Sequence, residues 1–326
     1  MTQARAVQLT EFGAPDVMKL VTHELAAPAA GEVQLRQTAI GFNYVDVYQR
    51  SGRYALPTPT GLGHEAAGVI EAVGPGVDGL RVGDHVVYMN AGIGAYADRR
   101  TVSANKLVKL PSGMDDEVAA ALFFKAMTAQ YLVRKTYPVQ KGDIVVVHAA
   151  AGGVGQILSA WAKALGATVI GTAGSAAKCD VALAAGCDVA IDYSNDDWVS
   201  RIVDATGGKK ARVVYDSVGQ HTFMGSLDIT VPFGYVVVYG AASGPVPPLD
   251  TELLNRKGCL YLTRPSVFPH NAEVQTLRAN ARDVFDVYAQ GIIRAQIGAR
   301  FSLGDVVDAH RAAESRATTG AIVMTP

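Results

Sequence analysis

Cysteine is scarce in this 326-residue chain: Cys179, Cys187 and Cys259 are the only three, and they lie far apart. Three thiols cannot build a disulfide framework, and their spacing is not that of a zinc knuckle. A chain of this length buries enough surface to hold a core without either, and the expected setting is a reducing cytoplasm. Long apolar runs are missing too. Nowhere do 18 apolar residues follow one another, and the opening MTQARAVQLTEFG lacks the apolar core of a signal peptide, so no membrane segment is expected. Neither sign of charge is in excess, with 29 Lys plus Arg against 30 Asp plus Glu. That balance argues against nucleic acid or an anionic membrane surface as the main partner. A composition that is 49% hydrophobic and only 18% charged excludes disorder, and the length suggests two domains.

Glycine, by contrast, is plentiful at 34 residues, clustered where turns are expected and without a fixed repeat. Residues 1 to about 125 carry short β-type runs, Glu32–Gln37, Ala67–Val73 and His85–Tyr88, cut by Gly and Pro. They predict mostly antiparallel structure, with turns at Gly74-Pro75-Gly76 and Gly83-Asp84. From about 126 to 262, apolar runs of strand length alternate with helix-length stretches. The strands are predicted at Asp143–His148, Ala167–Ile170, Val189–Ile191, Val213–Asp216 and Tyr235–Val238, and helices at Ile157–Leu165 and Ala176–Ala185. Such alternation predicts an α/β fold with a doubly wound parallel sheet. Beyond 263, a helix over 272–290 and a last strand at Gly320–Met324 are too little for a domain and are expected to rejoin the first.

The most informative stretch is His148-Ala149-Ala150-Ala151-Gly152-Gly153-Val154-Gly155, between a buried strand and a helix. Glycines at such a turn let the backbone approach a pyrophosphate, whose charge is met by free N–H groups at the helix start. Alanine replaces the first glycine of the usual G-x-G-x-x-G fingerprint, and the strand–turn–helix context carries the assignment. The second strand ends in Gly171-Thr172-Ala173-Gly174-Ser175, with no acid to hold a ribose 2′-hydroxyl. The first charged side chain there is Lys178, which with Ser175 suits a 2′-phosphate, and Tyr193 after the next strand is placed to reach the same end. NADPH is therefore expected over NADH, the alternative being that Lys178 is a solvated helix lysine.

His64-Glu65 has the look of half a metal site. A catalytic zinc needs three Cys, His or carboxylate ligands, and no cysteine precedes residue 179, so no metal is expected and His64 is read as a hydrogen-bonding residue.

With these residues in view, the chain resembles the zeta-crystallin-like NADPH:quinone reductases of the medium-chain dehydrogenase/reductase superfamily. The resemblance rests on Asn43-Tyr44-Val45-Asp46-Val47-Tyr48-Gln49-Arg50-Ser51-Gly52-Arg53-Tyr54, on Gly61–Gly68, on His148–Gly155, on Asp216-Ser217-Val218-Gly219 and on the tail Glu314–Gly320. It implies a GroES-like β domain made from residues 1–125 and the return 263–326, a Rossmann domain over 126–262, and an NADPH site in the cleft. It implies that Asn43 stands where zinc-dependent relatives carry a cysteine ligand, with His64 a remnant of the zinc pattern. Cofactor contacts are implied at Asn43, Tyr48, Tyr54 and Thr128 for the nicotinamide end, at Gly152, Gly153 and Val154 for the pyrophosphate, and at Gly174, Ser175, Lys178 and Tyr193 for the adenosine phosphate. Ser217 and Tyr239-Gly240-Ala241-Ala242 would line the cleft floor, the alanines through backbone alone.

The implied reaction is hydride transfer from NADPH to a quinone. The hydroquinone anion is far less basic than an alkoxide, so neither zinc nor a strong acid is required, and Asn43, Tyr48 or Tyr54 would serve as catalytic donors to the developing oxyanion. Plain packing is the alternative role for the two tyrosines. Reduction of enone or alkenal C=C bonds is the runner-up reaction, and a zinc alcohol dehydrogenase or an RNA-binding module are less favoured readings. A homodimer is expected, paired through a sheet edge at Gly258–Thr263.

Overall fold

In a computed structural model, residues 2–315 and 318–326 are described; Met1 and, within the tail motif, Arg316 and Ala317 lie outside the described residues. Contacts divide the chain into one unit of residues 1–125, 272–285 and 295–326 and a second of residues 126–271 and 286–294.

The first unit opens with an antiparallel pair, β1 (Thr2–Gln8) and β2 (Lys19–Leu25). Next come β3 (Glu32–Gly41), the short helix α1 (Tyr44–Arg50), β4 (Glu65–Val73), β5 (His85–Tyr88), β6 (Arg99–Ser103) and β7 (Val108–Lys109). The three runs read from sequence fall inside β3, β4 and β5, and the pairing among these strands is antiparallel. The turn glycines Gly76 and Gly83 take positive φ of 72° and 88°, a region in which a side chain is disfavoured. In β3 and β4, Gly41 faces Glu65. A Cβ on Gly41 would stand 2.3 Å from a Glu65 carboxylate oxygen, so the missing side chain is what lets that carboxylate tuck against β3. Val33, Leu35 and Ile40 of β3 join Ala66 and Ile70 of β4 and Val86 and Tyr88 of β5 in one apolar core.

Helix α2 (Asp116–Tyr131) crosses the unit boundary after Lys125. Its apolar residues run on every side, and nearly all from Ala119 to Tyr131 are buried, as expected of a helix without a solvent face.

The second unit contains β8 (Ile144–Val147), α3 (Gly153–Ala164), β9 (Thr168–Ala173), α4 (Ala176–Ala184), β10 (Val189–Asp192), α5 (Trp198–Ala205), β11 (Ala211–Asp216), α6 (Phe223–Asp228), β12 (Thr230–Val238), α7 (Thr251–Arg256), β13 (Tyr261–Thr263) and α8 (Val267–His270). Its six strands are all parallel, in the order β10-β9-β8-β11-β12-β13. This is the doubly wound order 3-2-1-4-5-6, whose direction reverses between β8 and β11. Val145–Val147 and Val213–Tyr215 are wholly buried, because helices cover both faces of such a sheet.

Two details differ from the sequence reading. Helix α3 begins at Gly153, a turn earlier than the apolar spacing shows, since its first turn is glycine-rich. The second unit continues past 262, because β13 pairs with β12 and completes the parallel sheet.

The chain then forms α9 (Val274–Ala289), close to the expected 272–290, followed by β14 (Ile297–Ser302), α10 (Val306–Glu314) and β15 (Ala321–Thr325). Strand β15 lies between β14 and β3 and completes a seven-stranded sheet of the first unit. Among the described residues, no helix is long and apolar enough to cross a membrane.

Candidate functional sites

Each of the two units builds a candidate site. In the second unit, β8 delivers the chain into the turn 148–152 and α3 starts at Gly153. Ala149 sits at φ +52°, a left-handed conformation that costs an alanine about 1 kcal/mol. Gly155 packs onto that bend: a Cβ there would lie 2.3 Å from the Ala149 carbonyl oxygen and 2.8 Å from the Ala150 Cα. The Gly152 N–H is spent inside the turn on the Ala149 carbonyl at 2.9 Å, and Gln156 makes the first helical bond, to Gly152, at 3.0 Å. Helix geometry therefore leaves the N–H groups of Gly153, Val154 and Gly155 without an intrahelical acceptor, a cradle for an anion. Of the three residues assigned to pyrophosphate from sequence, Gly153 and Val154 offer donors. Gly152 offers only close approach, and Gly155 is the donor that sequence reasoning left out.

Beneath this turn runs a buried polar chain that sequence reasoning also left out. His148 Nδ1 lies 2.7 Å from Thr172 Oγ1 and His148 Nε2 lies 3.0 Å from Ser226 Oγ, whose hydroxyl donates to Asp216 at 2.9 Å. Burial pulls the imidazole pKa down, opposed by the Asp216 carboxylate. Asp216 also accepts the N–H groups of Val218 and Gly219 at 2.8 and 2.9 Å and the Thr222 hydroxyl. One carboxylate thus fixes the loop after β11 while the histidine ties the ends of β8 and β9 to α6. The signal was present in sequence, as a histidine and an aspartate each closing an apolar strand run.

At the adenosine end, Gly174 and Ser175 follow β9, and Ser175 caps α4 by accepting the Lys178 N–H at 3.4 Å. Lys178 is half-buried on the first turn of that helix. The Tyr193 N–H bonds the Ala173 carbonyl at 2.9 Å, and its phenol oxygen lies 3.3 Å from where a Gly174 Cβ would stand. The four residues assigned to a 2′-phosphate therefore cluster at the ends of β9 and β10. Ser217, Tyr239, Gly240, Ala241 and Ala242 also meet. The Ser217 hydroxyl reaches the His148 carbonyl at 3.3 Å, the Ala242 N–H bonds the Ser217 carbonyl at 3.1 Å, and a Gly240 Cβ would sit 2.6 Å from that carbonyl. Burial pushes the Tyr239 phenol up to about 12, so it is neutral, and Thr128 is buried on α2.

In the first unit, Asn43 precedes α1, and its N–H bonds the Asp46 carboxylate at 2.9 Å. Its side chain meets a cation and an anion at once: Lys125 Nζ lies 3.2 Å from Asn43 Oδ1, and Asn43 Nδ2 donates to Glu65 Oε2 at 2.9 Å. Because an ammonium only donates and a carboxylate accepts, these neighbours fix which way the amide points. The second N–H of the Asn43 amide is used by neither of these contacts. Lys125 also donates to the Phe42 carbonyl at 3.1 Å and to Glu65 Oε2 at 3.4 Å, while Glu65 Oε1 accepts the Phe124 N–H at 2.5 Å. Burial raises the Glu65 pKa, and Lys125 is the chief opposing influence.

His64 hydrogen-bonds Gln49 through Nε2 at 3.1 Å from Oε1, and burial lowers its pKa to about 4. Nearby, the buried Tyr96 hydroxyl donates to Asp46 at 2.9 Å and lies 3.2 Å from His310 Nε2. Burial lifts Asp46 to about 7 and lowers His310 to about 3, so at neutral pH the imidazole is uncharged and the carboxyl is poised at its midpoint. Tyr48 is buried, its ring edge-on to Tyr44 and Tyr54 at 5.3 and 5.2 Å with the Arg53 guanidinium 4.6 Å from its centroid. Tyr54 is 41% exposed, so of the two tyrosines it is the one with ring surface toward solvent.

This donor set does not fit zinc. Of its three side chains, Asn43 is an amide, Lys125 is an ammonium that already supplies the positive charge, and Glu65 has both oxygens engaged. Among the described residues no three His, Cys, Asp or Glu side chains come together as metal ligands.

Residues 29–112 match the family model of the alcohol dehydrogenase GroES-like domain, and residues 153–277 that of zinc-binding dehydrogenases. The chain is 43% identical to a quinone oxidoreductase of Pseudomonas aeruginosa, across 99% of this chain and 100% of the relative. It is 39% identical to a 2-haloacrylate reductase of Burkholderia sp, across 98% of each. The crystal structure of the Escherichia coli quinone oxidoreductase complexed with NADPH matches with a TM-score of 0.96 at 42% identity, covering 99% of this chain and all of that one.

Proposed function

The chain belongs to the quinone oxidoreductase family of the medium-chain dehydrogenases, and from that membership we propose that it is a zinc-independent NADPH:quinone oxidoreductase. The observation that carries the reading is the pairing of an anion cradle at Gly153–Gly155 with a β9 end that offers Ser175 and Lys178 where an NAD enzyme places an acid.

NADPH, when bound, supplies the hydride that a quinone accepts. Gly153, Val154 and Gly155 hold the pyrophosphate through backbone N–H groups, and Gly152 clears its approach. Gly174, Ser175, Lys178 and Tyr193 take the 2′-phosphate. Thr128, Ser217, Tyr239, Gly240 and Ala241 serve the rest of the cofactor, with Asn43 and Tyr48 at its nicotinamide end. In the first unit, the remaining Asn43 N–H is a fixed donor for oxyanion charge, oriented before substrate arrives by Lys125 and Glu65. Tyr54 and Tyr48 are the further donors, Tyr54 being the more exposed. The proposed compartment is a reducing cytoplasm, supported by three cysteines that are all free.

A homodimer is proposed through β13, which ends the parallel sheet with an edge that pairs no strand among the described residues and a Tyr261 that is 53% exposed. The full-length likeness to a 2-haloacrylate reductase favours a second reading, reduction of an activated C=C bond. The test follows NADPH loss at 340 nm with a panel of quinones and of 2-alkenals and haloacrylates. Quinone turnover at least tenfold above that of the alkenes is expected. Turnover of alkenes alone selects the second reading, and no turnover of either overturns both.

A further inference from the structure

We infer that His221 is a further contact for the 2′-phosphate of NADPH, set on the loop after β11 and joining Ser175, Lys178 and Tyr193. The inference rests on the NADPH reading and names one more residue of that site. Because the strands are parallel, the loops that follow β9, β10 and β11 leave from the same end of the sheet. Tyr193, from the β10 loop, stands over Gly174 with its hydroxyl 3.3 Å from the missing Cβ. Its ring centroid is 5.8 Å from that of His221, the two planes tilted by 56°. The imidazole is therefore one ring away from the groups placed at the adenosine phosphate, on a loop that leaves β11, the strand beside β8, and reaches the Tyr193 ring after β10.

The loop that carries His221 is fixed from below. Asp216 anchors Val218, Gly219 and Thr222, and the His221 N–H bonds Ser243 Oγ at 3.0 Å, while the Ser243 hydroxyl donates to the Val218 carbonyl at 2.8 Å. The backbone is thus held on both sides of a histidine that is itself exposed. An imidazole supplies an N–H donor, and a cationic one a charge-assisted bond, to an oxygen-rich dianion. The carboxylate nearest in sequence to Tyr193, that of Asp192, accepts the Ser194 N–H and hydroxyl at 2.9 and 2.7 Å and so is turned into its own loop.

Calorimetric titration of the full chain with 2′,5′-ADP and with 5′-AMP isolates this contact, since the two probes differ by the 2′-phosphate. In wild type, 2′,5′-ADP is expected to bind much the tighter. His221→Ala is expected to weaken 2′,5′-ADP about tenfold and 5′-AMP less than twofold. His221→Gln, which keeps an N–H donor, should recover part of the loss, and His221→Phe, which keeps only a ring, should not. Equal weakening of both probes, full recovery by phenylalanine, or no change in either overturns the contact. A wild-type protein that does not distinguish the two probes overturns the NADPH reading itself.

Discussion

At Lys125 the first unit places an ammonium among Phe42, Asn43 and Glu65, where a metal-dependent enzyme would gather thiolate and imidazole. Breaking a buried pair by removing one partner leaves the other charge stranded, at a cost of about 3–5 kcal/mol. Lys125→Met is therefore expected to lose about that much stability at pH 8, measured by urea unfolding. Without the ammonium, the Glu65 pKa rises further above the usual carboxylate range, so the folded state favours the protonated acid. Stability held by that proton is present at low pH and lost as pH rises, so the defect should shrink markedly at pH 5. Adding Glu65→Gln should recover most of the loss; a defect independent of pH contradicts the account. Through the family resemblance Asn43 was legible as a departure from a zinc pattern and His64 as a remnant of one, because each sits in a recognisable local motif. Lys125 was not, since the partners that give it meaning lie 60 and 82 residues away.

Among the elements, the β8–turn–α3 unit was the most legible, because a buried apolar run, a glycine cluster and a helical repeat follow one another without a gap. What the sequence could not divide was the labour among its glycines. That depends on which N–H groups the turn consumes, a matter of backbone geometry at Ala149. Gly155→Ala tests it: a methyl 2.3 Å from the Ala149 carbonyl must push the turn out of shape. NADPH affinity is expected to fall more than tenfold by fluorescence titration, with the far-ultraviolet circular dichroism of the protein unchanged. Unaltered affinity would show that the turn does not hold the pyrophosphate. The aromatic group of Tyr44, Tyr48 and Tyr54 was legible only as a run of tyrosines. Their edge-on packing comes from the i, i+4 spacing of Tyr44 and Tyr48 on α1 and from the turn that returns Tyr54 to the Tyr48 carbonyl at 2.9 Å.

For the whole molecule, alternating strands and helices made the parallel sheet legible, and the return of the last strand to β3 followed from a tail too short to stand alone. The extra stretch of the second unit, residues 286–294, was not, because it starts within a helix that begins in the first. Sedimentation at micromolar concentration is expected to give twice the 34.2 kDa chain mass, with the β13 edge covered, and a monomer contradicts that assembly. The claim that governs all of these is that the chain reduces quinones with NADPH and needs no zinc. Its most direct test is NADPH consumption at 340 nm with a quinone, before and after exhaustive treatment with a strong zinc chelator. The same rate in both is predicted, with NADH much the poorer donor. Absence of NADPH consumption, or activity that chelation removes and zinc restores, would contradict it.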